Sequence, residues 1–179
     1  MFAAIDRAGL ALTALVNNAG VVGTAGPFTD YTLARLKRTF EVNVLGAFLV
    51  AREALKRMST AHGGGGGAIV NVSSAAARIG SPNEFIDYAA AKGAIDTLTL
   101  GLAKEYGGQG VRVNAVRPGI IDTEIHASAG VPDRVARIAA QLPLGRAGQA
   151  EEVARAILWL LSDEAGYITG SLLDIAGGR

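Results

Sequence analysis

The chain contains no cysteine, which excludes disulfides, thiolate nucleophiles and thiolate metal sites. Histidine is nearly as scarce, with two in 179 residues, and no HExxH pattern surrounds either, so a metal site is not expected. Charged residues make up 18%, below the roughly 25% of an average domain. The 17 Lys and Arg against 16 Asp and Glu leave a net charge of +1, which gives no sequence-wide attraction to nucleic acid or to an anionic membrane. Asn, Gly, Arg or Lys interrupts every apolar stretch before the ~20 residues that a membrane span needs. The start, MFAAIDRAGL, carries Asp6 and no cationic segment ahead of a sustained apolar run. It does not read as a signal peptide, and a cytoplasmic protein is expected.

What is abundant is apolar or small. Half of the residues are hydrophobic and 24 of 179 are glycine, roughly twice the usual share, which argues against disorder. The length suits one domain with a substantial core, and the thin charge suggests that a partner subunit covers part of the surface. No internal repeat or domain boundary is visible, so residues 1–179 are read as a single unit.

Short β-branched runs alternate with longer helical patterns, the signature of a parallel sheet covered by helices. Strands are expected at 13–17, 68–73, 111–116 and 171–175. Between the first two, Leu33, Leu36, Phe40, Val44 and Phe48 recur at helical spacing, with Thr29 or Asp30 as the cap. That segment, 29–58, reads as one long helix or two abutting ones. Further helices are expected at 88–106 and 151–161, the latter with acids in its first turn, and a short one around 132–141. The run HGGGGG at 62–67 precedes a strand, whereas ligands in open α/β sheets sit beyond the strands' carboxyl ends. It reads as a flexible surface connection.

The same carboxyl-end rule points to Asn17-Asn18-Ala19-Gly20, to Ser73-Ser74, and to Arg117-Pro118-Gly119 with the following Ile-Ile-Asp-Thr123. All three ends should open on one crevice, where small residues admit a flat ligand and Asn, Ser and Thr supply directed hydrogen bonds. Tyr88 and Lys92 in YAAAK lie one helical turn apart on one face. An ammonium there would favour the phenolate and bring the phenol toward the range of an acid/base catalyst. Ser74, 14 positions upstream at a strand end, could hold a carbonyl oxygen beside it. A hydrolase built on Ser74 is disfavoured, because no G-x-S-x-G elbow is present and neither His62 nor His126 is marked as a base.

NNAG at 17–20, NVLG from Asn43, IVNVSS at 69–74, YAAAK at 88–92, VRVNAVRPGIIDT at 111–123 and the terminal TGSLLDIAGG resemble the short-chain dehydrogenase/reductase family. The set occurs in order over essentially the whole chain. The resemblance implies a Rossmann-like, doubly wound parallel α/β sheet and hydride transfer between an alcohol or carbonyl substrate and NAD or NADP. It implies Tyr88 as general acid/base and Lys92 as the group that lowers the Tyr88 pKa and binds the nicotinamide ribose. Ser74 would orient the substrate oxygen. Asn43 would sit at a distortion in its helix and hold a water in a proton relay to Lys92. Asn18, Ala19 and Gly20 would line the cofactor floor, and Pro118, Gly119, Ile121 and Thr123 would contact the nicotinamide. A homo-dimer or tetramer is implied, with helices 29–58 and 90–106 at the interface. The wording around RIGSPNEFIDYAAAKGAIDTLT is similar to bacterial sugar or glucose dehydrogenase-like members; a 3-oxoacyl-thioester reductase is the alternative within the class. The segment after Thr123 would be the lid, with Arg134 and Arg137 either available to substrate or solvated.

One departure stands out. Members of the family begin with a strand and a TGxxxGxG loop that admits the pyrophosphate to a helix N-terminus. No such stretch is present, and MFAAIDRAGLALTALVNNAG aligns with the helix before the family's fourth strand. About four strands are left, on the order of 70 residues fewer than the whole fold at the usual size of βα units. An incomplete sequence of a normal enzyme, a truncated remnant acting through association with related subunits, and a fragment unstable alone are the three readings. On the last two, residues 14–16 form an unguarded sheet edge through which the chain pairs or aggregates. Weak NAD(P)H binding is expected of residues 1–179.

Overall fold

The computed structural model describes residues 1–179. Four strands, β1 (Ala14–Asn17), β2 (Gly67–Val72), β3 (Val111–Pro118) and β4 (Leu172–Ile175), form one parallel sheet in the order β1-β2-β3-β4. Each lies within two residues of the sequence expectation. The register aligns Asn17 with Asn71, Val72 with Val116, and Pro118 with Ile175, so the carboxyl ends meet along one edge of the sheet.

Helices cover both faces. On one face α3 (Ala47–Met58) and α5 (Ile86–Tyr106) pack Leu55, Met58 and Ala103 against Ile69, Val111 and Val113. On the other, α8 (Ala150–Leu161) sets Val153 and Leu160 against Val70 and Val116. Alternate residues of β2 and β3 thus enter opposite cores, as the two-residue repeat of a strand requires. The first turn of α8 holds Glu151 and Glu152, and the Glu152 carboxylate accepts from the Gln149 backbone N–H at 2.8 Å.

Three expectations change. The 29–58 segment is continuous but not uniform: α2 (Leu33–Phe40) runs into a π-helical turn at Glu41–Gly46 before α3. Its cap is Thr32, whose hydroxyl accepts from Arg35 N, rather than Thr29 or Asp30. Phe28–Asp30 form a separate 3-10 turn, because the Tyr31 ring packs edge-on to Phe28 and under the Arg35 guanidinium. The glycine run is no flexible link. Gly64 N donates to Ser59 O and Gly66 N to Met58 O, and a Cβ on Gly64 or Gly67 would strike the carbonyls of Arg57 or Thr13. Glycine is needed there for close approach, not for freedom.

The short helices α4 (Ala76–Ile79), α6 (Ile125–Ser128) and α7 (Arg134–Ala139) gather around the strand ends, and α1 (Phe2–Arg7) precedes β1. No helix is long and apolar enough to cross a membrane.

Candidate active site

A cleft of about 470 Å³ opens at the carboxyl ends of the strands. Of the residues singled out in the sequence, Asn18, Gly20, Ser74, Tyr88, Lys92, Pro118, Gly119, Ile121 and Thr123 line it. Ala19 and Asn43 do not: Ala19 is exposed beyond β1, and Asn43 lies one layer behind Gly20.

Lys92 is 4% exposed on α5, and its Nζ donates to Val72 O at 2.7 Å, which ties α5 to the end of β2. Ser73 adds a second tie, its hydroxyl donating to Lys92 O at 3.1 Å. Burial lowers the Lys92 pKa to about 8, with the Asp96 carboxylate acting in the opposite direction. Tyr88 sits one turn earlier, its ring centroid 5.5 Å from Lys92 Nζ. Burial raises the phenol's pKa, while the Ser74 hydroxyl and the charge of Arg134 pull it back. One N–H of the ammonium holds a backbone carbonyl, and Ser74 and Arg134 draw the phenol's pKa down against burial.

The π-helical turn explains how Asn43 comes to be buried and aimed sideways. Its amide donates to Thr39 O and to Val21 O, both at 2.8 Å, and accepts from Val21 N at 3.0 Å. It locks the loop after β1 in place. A Cβ on Gly20 would lie 2.7 Å from Asn43 Oδ1 and 3.5 Å from Lys92 Nζ, so Gly20 keeps open a cradle that any side chain would fill. The water ascribed to Asn43 would have to use its second lone pair, because both N–H groups are engaged.

Sequence reading missed the clamp that fixes the start of α5. Asp87, fully buried next to Tyr88, accepts from Arg35 Nε at 2.8 Å and Nη2 at 2.9 Å and from the Thr39 hydroxyl at 3.1 Å. Burial pushes this carboxyl up, but Arg35, the Tyr88 backbone N–H and Thr39 outweigh it and the pKa falls below the ordinary value. Arg35 also donates to Thr24 O at 2.6 Å, and the Tyr31 hydroxyl accepts from Ile86 N and donates to Glu84 O. The one sequence signal was an acid directly beside the candidate tyrosine. Its partner lies 52 positions away.

The lid residues resolve differently from each other. Arg134 is buried, forks onto Glu84 at 2.5 and 3.3 Å and stacks over the Phe85 ring at 5.2 Å; Arg137 stays half exposed. Beneath the cleft, Arg117 at the end of β3 holds Asp96 at 2.8 Å, leaving Asp96 Oδ1 buried without a partner.

The whole chain, residues 1–179, matches the family model described as enoyl-(acyl carrier protein) reductase. It is 59% identical to the oxidoreductase YgfF of Escherichia coli (strain K12), over all of this chain and 72% of that protein. Among solved structures it resembles ElxO with NADP bound, at a TM-score of 0.86 and 34% identity, over 98% of this chain and 70% of that one. A 4-hydroxyisoleucine dehydrogenase mutant complexed with NADH and succinate superposes at a TM-score of 0.88 and 31% identity, over 99% and 72% of the respective chains.

Proposed function

The chain belongs to the short-chain dehydrogenase/reductase family of oxidoreductases, and from that premise we propose that it interconverts a secondary alcohol and its carbonyl compound with NAD or NADP, using Tyr88 as the acid/base. The observation that carries this reading is the convergence of Ser74, Tyr88 and Lys92 on one cleft wall, with Tyr88 held by a buried clamp at the start of α5. The cradle at Gly20 and the Lys92 ammonium suit the ribose and nicotinamide end of such a cofactor. With one N–H of Nζ on Val72 O, two remain for ribose hydroxyls. Asn18, Pro118, Gly119, Ile121 and Thr123 supply the flanking contacts. When bound, the nicotinamide exchanges a hydride with the carbinol carbon.

The rest falls to the chain's own groups. In oxidation the Tyr88 oxygen takes the alcohol proton as the carbinol hydrogen departs; in reduction it returns that proton to the forming alkoxide. Ser74 donates to the substrate oxygen and so sets its angle to the phenol. Asn43, Asp87, Arg35 and Tyr31 are positioning residues that hold Gly20 and Tyr88 against each other.

Leu45 is exposed on the π-helical turn, Phe48 and Leu49 on α3, Leu100 on α5, and Leu158 and Trp159 on α8. These faces support a homo-dimer through α3 and α5, or a tetramer that also uses α8. Light scattering on the purified protein reads the copy number directly.

The function is tested by following NAD(P)H formation with a panel of secondary alcohols at saturating cofactor, in wild type and Tyr88→Phe. Loss of turnover by 10²-fold or more with unchanged mass and melting supports the reading, in line with the ~10²–10⁴-fold that a general acid/base contributes. Inactivity of both forms favours the non-catalytic remnant instead, and activity confined to a 3-oxoacyl thioester favours the reductase alternative.

A further inference from the structure

The ionisable side chains that line the cleft are Tyr88, Lys92, His126, Arg134 and Arg179. No aspartate or glutamate is among the lining residues. His126 is committed, its Nε2 lying 2.9 Å from Ile121 O, and Lys92 is held by Val72 O. Two guanidinium groups remain, and both have donors to spare.

Arg134 engages Glu84 through Nε and Nη2, which leaves the two N–H bonds of Nη1 without a protein partner. That nitrogen is not sealed inside the protein, since the buried side-chain atom lacking a partner is Asp96 Oδ1. The Arg179 side chain makes no hydrogen bond or ion pair at all, yet it is half-buried beside Arg134. Burial and the neighbouring Arg134 charge both disfavour its cationic form, with Glu84 opposing them. Glu84, the acid paired with Arg134, is already shared with Arg137 at 4.0 Å. At this corner the guanidinium groups outnumber the carboxylate side chains that pair with them.

We propose that Arg134 and Arg179 form an anion subsite, so that the substrate is a hydroxy acid or its oxo acid, with the carboxylate on the guanidinium pair and the reacting carbon at Ser74 and Tyr88. The proposal rests on the hydride-transfer reading for the identity of the reacting group. Arg134 reaches from α7 across to the Tyr88 side of the cleft, pairing with Glu84 and stacking on Phe85, three residues before Tyr88. Ile79, Phe85 and Ala129 supply an apolar wall for a short carbon body. A planar fork with free N–H groups matches a carboxylate in shape as well as charge. A sugar fits less well: its many hydroxyl donors call for acidic acceptors, and this lining has none.

The test is a binding ratio that does not depend on turnover. The protein is titrated by saturation-transfer NMR with 4-oxopentanoate and its neutral isostere 4-oxopentanamide at saturating NAD⁺, which cannot reduce a ketone, and with D-glucose at saturating NADH, which cannot oxidise an alcohol. Wild type should bind the acid at least tenfold more tightly than the amide or glucose. Arg179→Ala, which breaks no hydrogen bond or ion pair of the side chain, should cut the acid/amide ratio severalfold, and Arg134→Met should bring it near one. Glu84→Gln, which releases Arg134 from its partner, should raise the ratio. Equal binding of acid and amide by wild type, tighter binding of glucose, or a ratio unchanged in both arginine variants overturns the subsite. An acid preference without any hydride transfer would sustain the subsite and count against the proposed reaction alone.

Discussion

The two walls of the cleft are built in different ways. The wall carrying Ser74, Tyr88 and Lys92 is cross-tied to the sheet and to α2 by side chains that are themselves buried: Asn43, Ser73, Asp87 and Lys92. The facing wall, residues 120–142, consists of helices of four and six residues over a small apolar cluster of Ile120, Leu142 and Ala147. It is tied across the cleft by the Arg134–Glu84 pair and by the Ala25 N–H on Ala129 O. The contrast teaches that the proposed reacting groups are set by long-range structure, whereas the facing wall is a locally replaceable segment. One wall can stay constant while the other changes with substrate.

Substitutions under the reacting wall should therefore cost most. Arg117→Leu strands the buried Asp96 carboxylate and should lower unfolding free energy by about 3–5 kcal/mol in a denaturant titration. A loss below about 1 kcal/mol would show that this layer is looser than the hydrogen bonds imply.

Lys92→Met gives a pH signature. With its pKa lowered to about 8 in the folded chain, wild-type Lys92 opposes folding most where it is protonated in both states, below pH 8. The penalty, up to about 3 kcal/mol, fades as pH rises from about 8 to the ordinary lysine value near 10.5. The difference in stability between Lys92→Met and wild type should shrink with pH across that window. A constant difference would mean that Lys92 is no worse solvated in the fold than in water.

Leu142→Ala opens the lid cluster and should cost about 2 kcal/mol, the low end for a buried leucine. It should raise KM more than it lowers kcat. Tyr31→Phe removes the hydroxyl between Ile86 N and Glu84 O, for about 1 kcal/mol, and should lower kcat with KM little changed. The opposite pattern in this pair would erase the distinction between the walls.

Much of the reacting wall was legible because its residues sit at strand ends or one helical turn apart, where local pattern suffices. The strands, the helices 88–106 and 151–161, and the convergence of Ser74, Tyr88 and Lys92 follow from periodicity and the carboxyl-end rule. What stayed hidden depends on partners far along the chain. Arg35 meets Asp87 across 52 positions and Arg134 meets Glu84 across 50, and charge pattern alone left Arg134 and Arg137 equivalent. Composition misled at Gly64 and Gly67, since glycine marks tight approach as readily as freedom. The one-turn spacing of Tyr88 and Lys92 follows from the helix period, but the bond from Nζ to Val72 O is a contact that spacing cannot show.

The most direct measurement follows deuterium. A secondary alcohol that the protein oxidises, deuterated at its carbinol carbon, is incubated with NAD⁺ or NADP⁺, and C4 of the nicotinamide is read by NMR. The account predicts that the label arrives at C4 without exchange in wild type and at least 10²-fold more slowly in Tyr88→Phe with cofactor binding retained. Undiminished transfer in Tyr88→Phe, or oxidation that leaves no deuterium at C4, would contradict it.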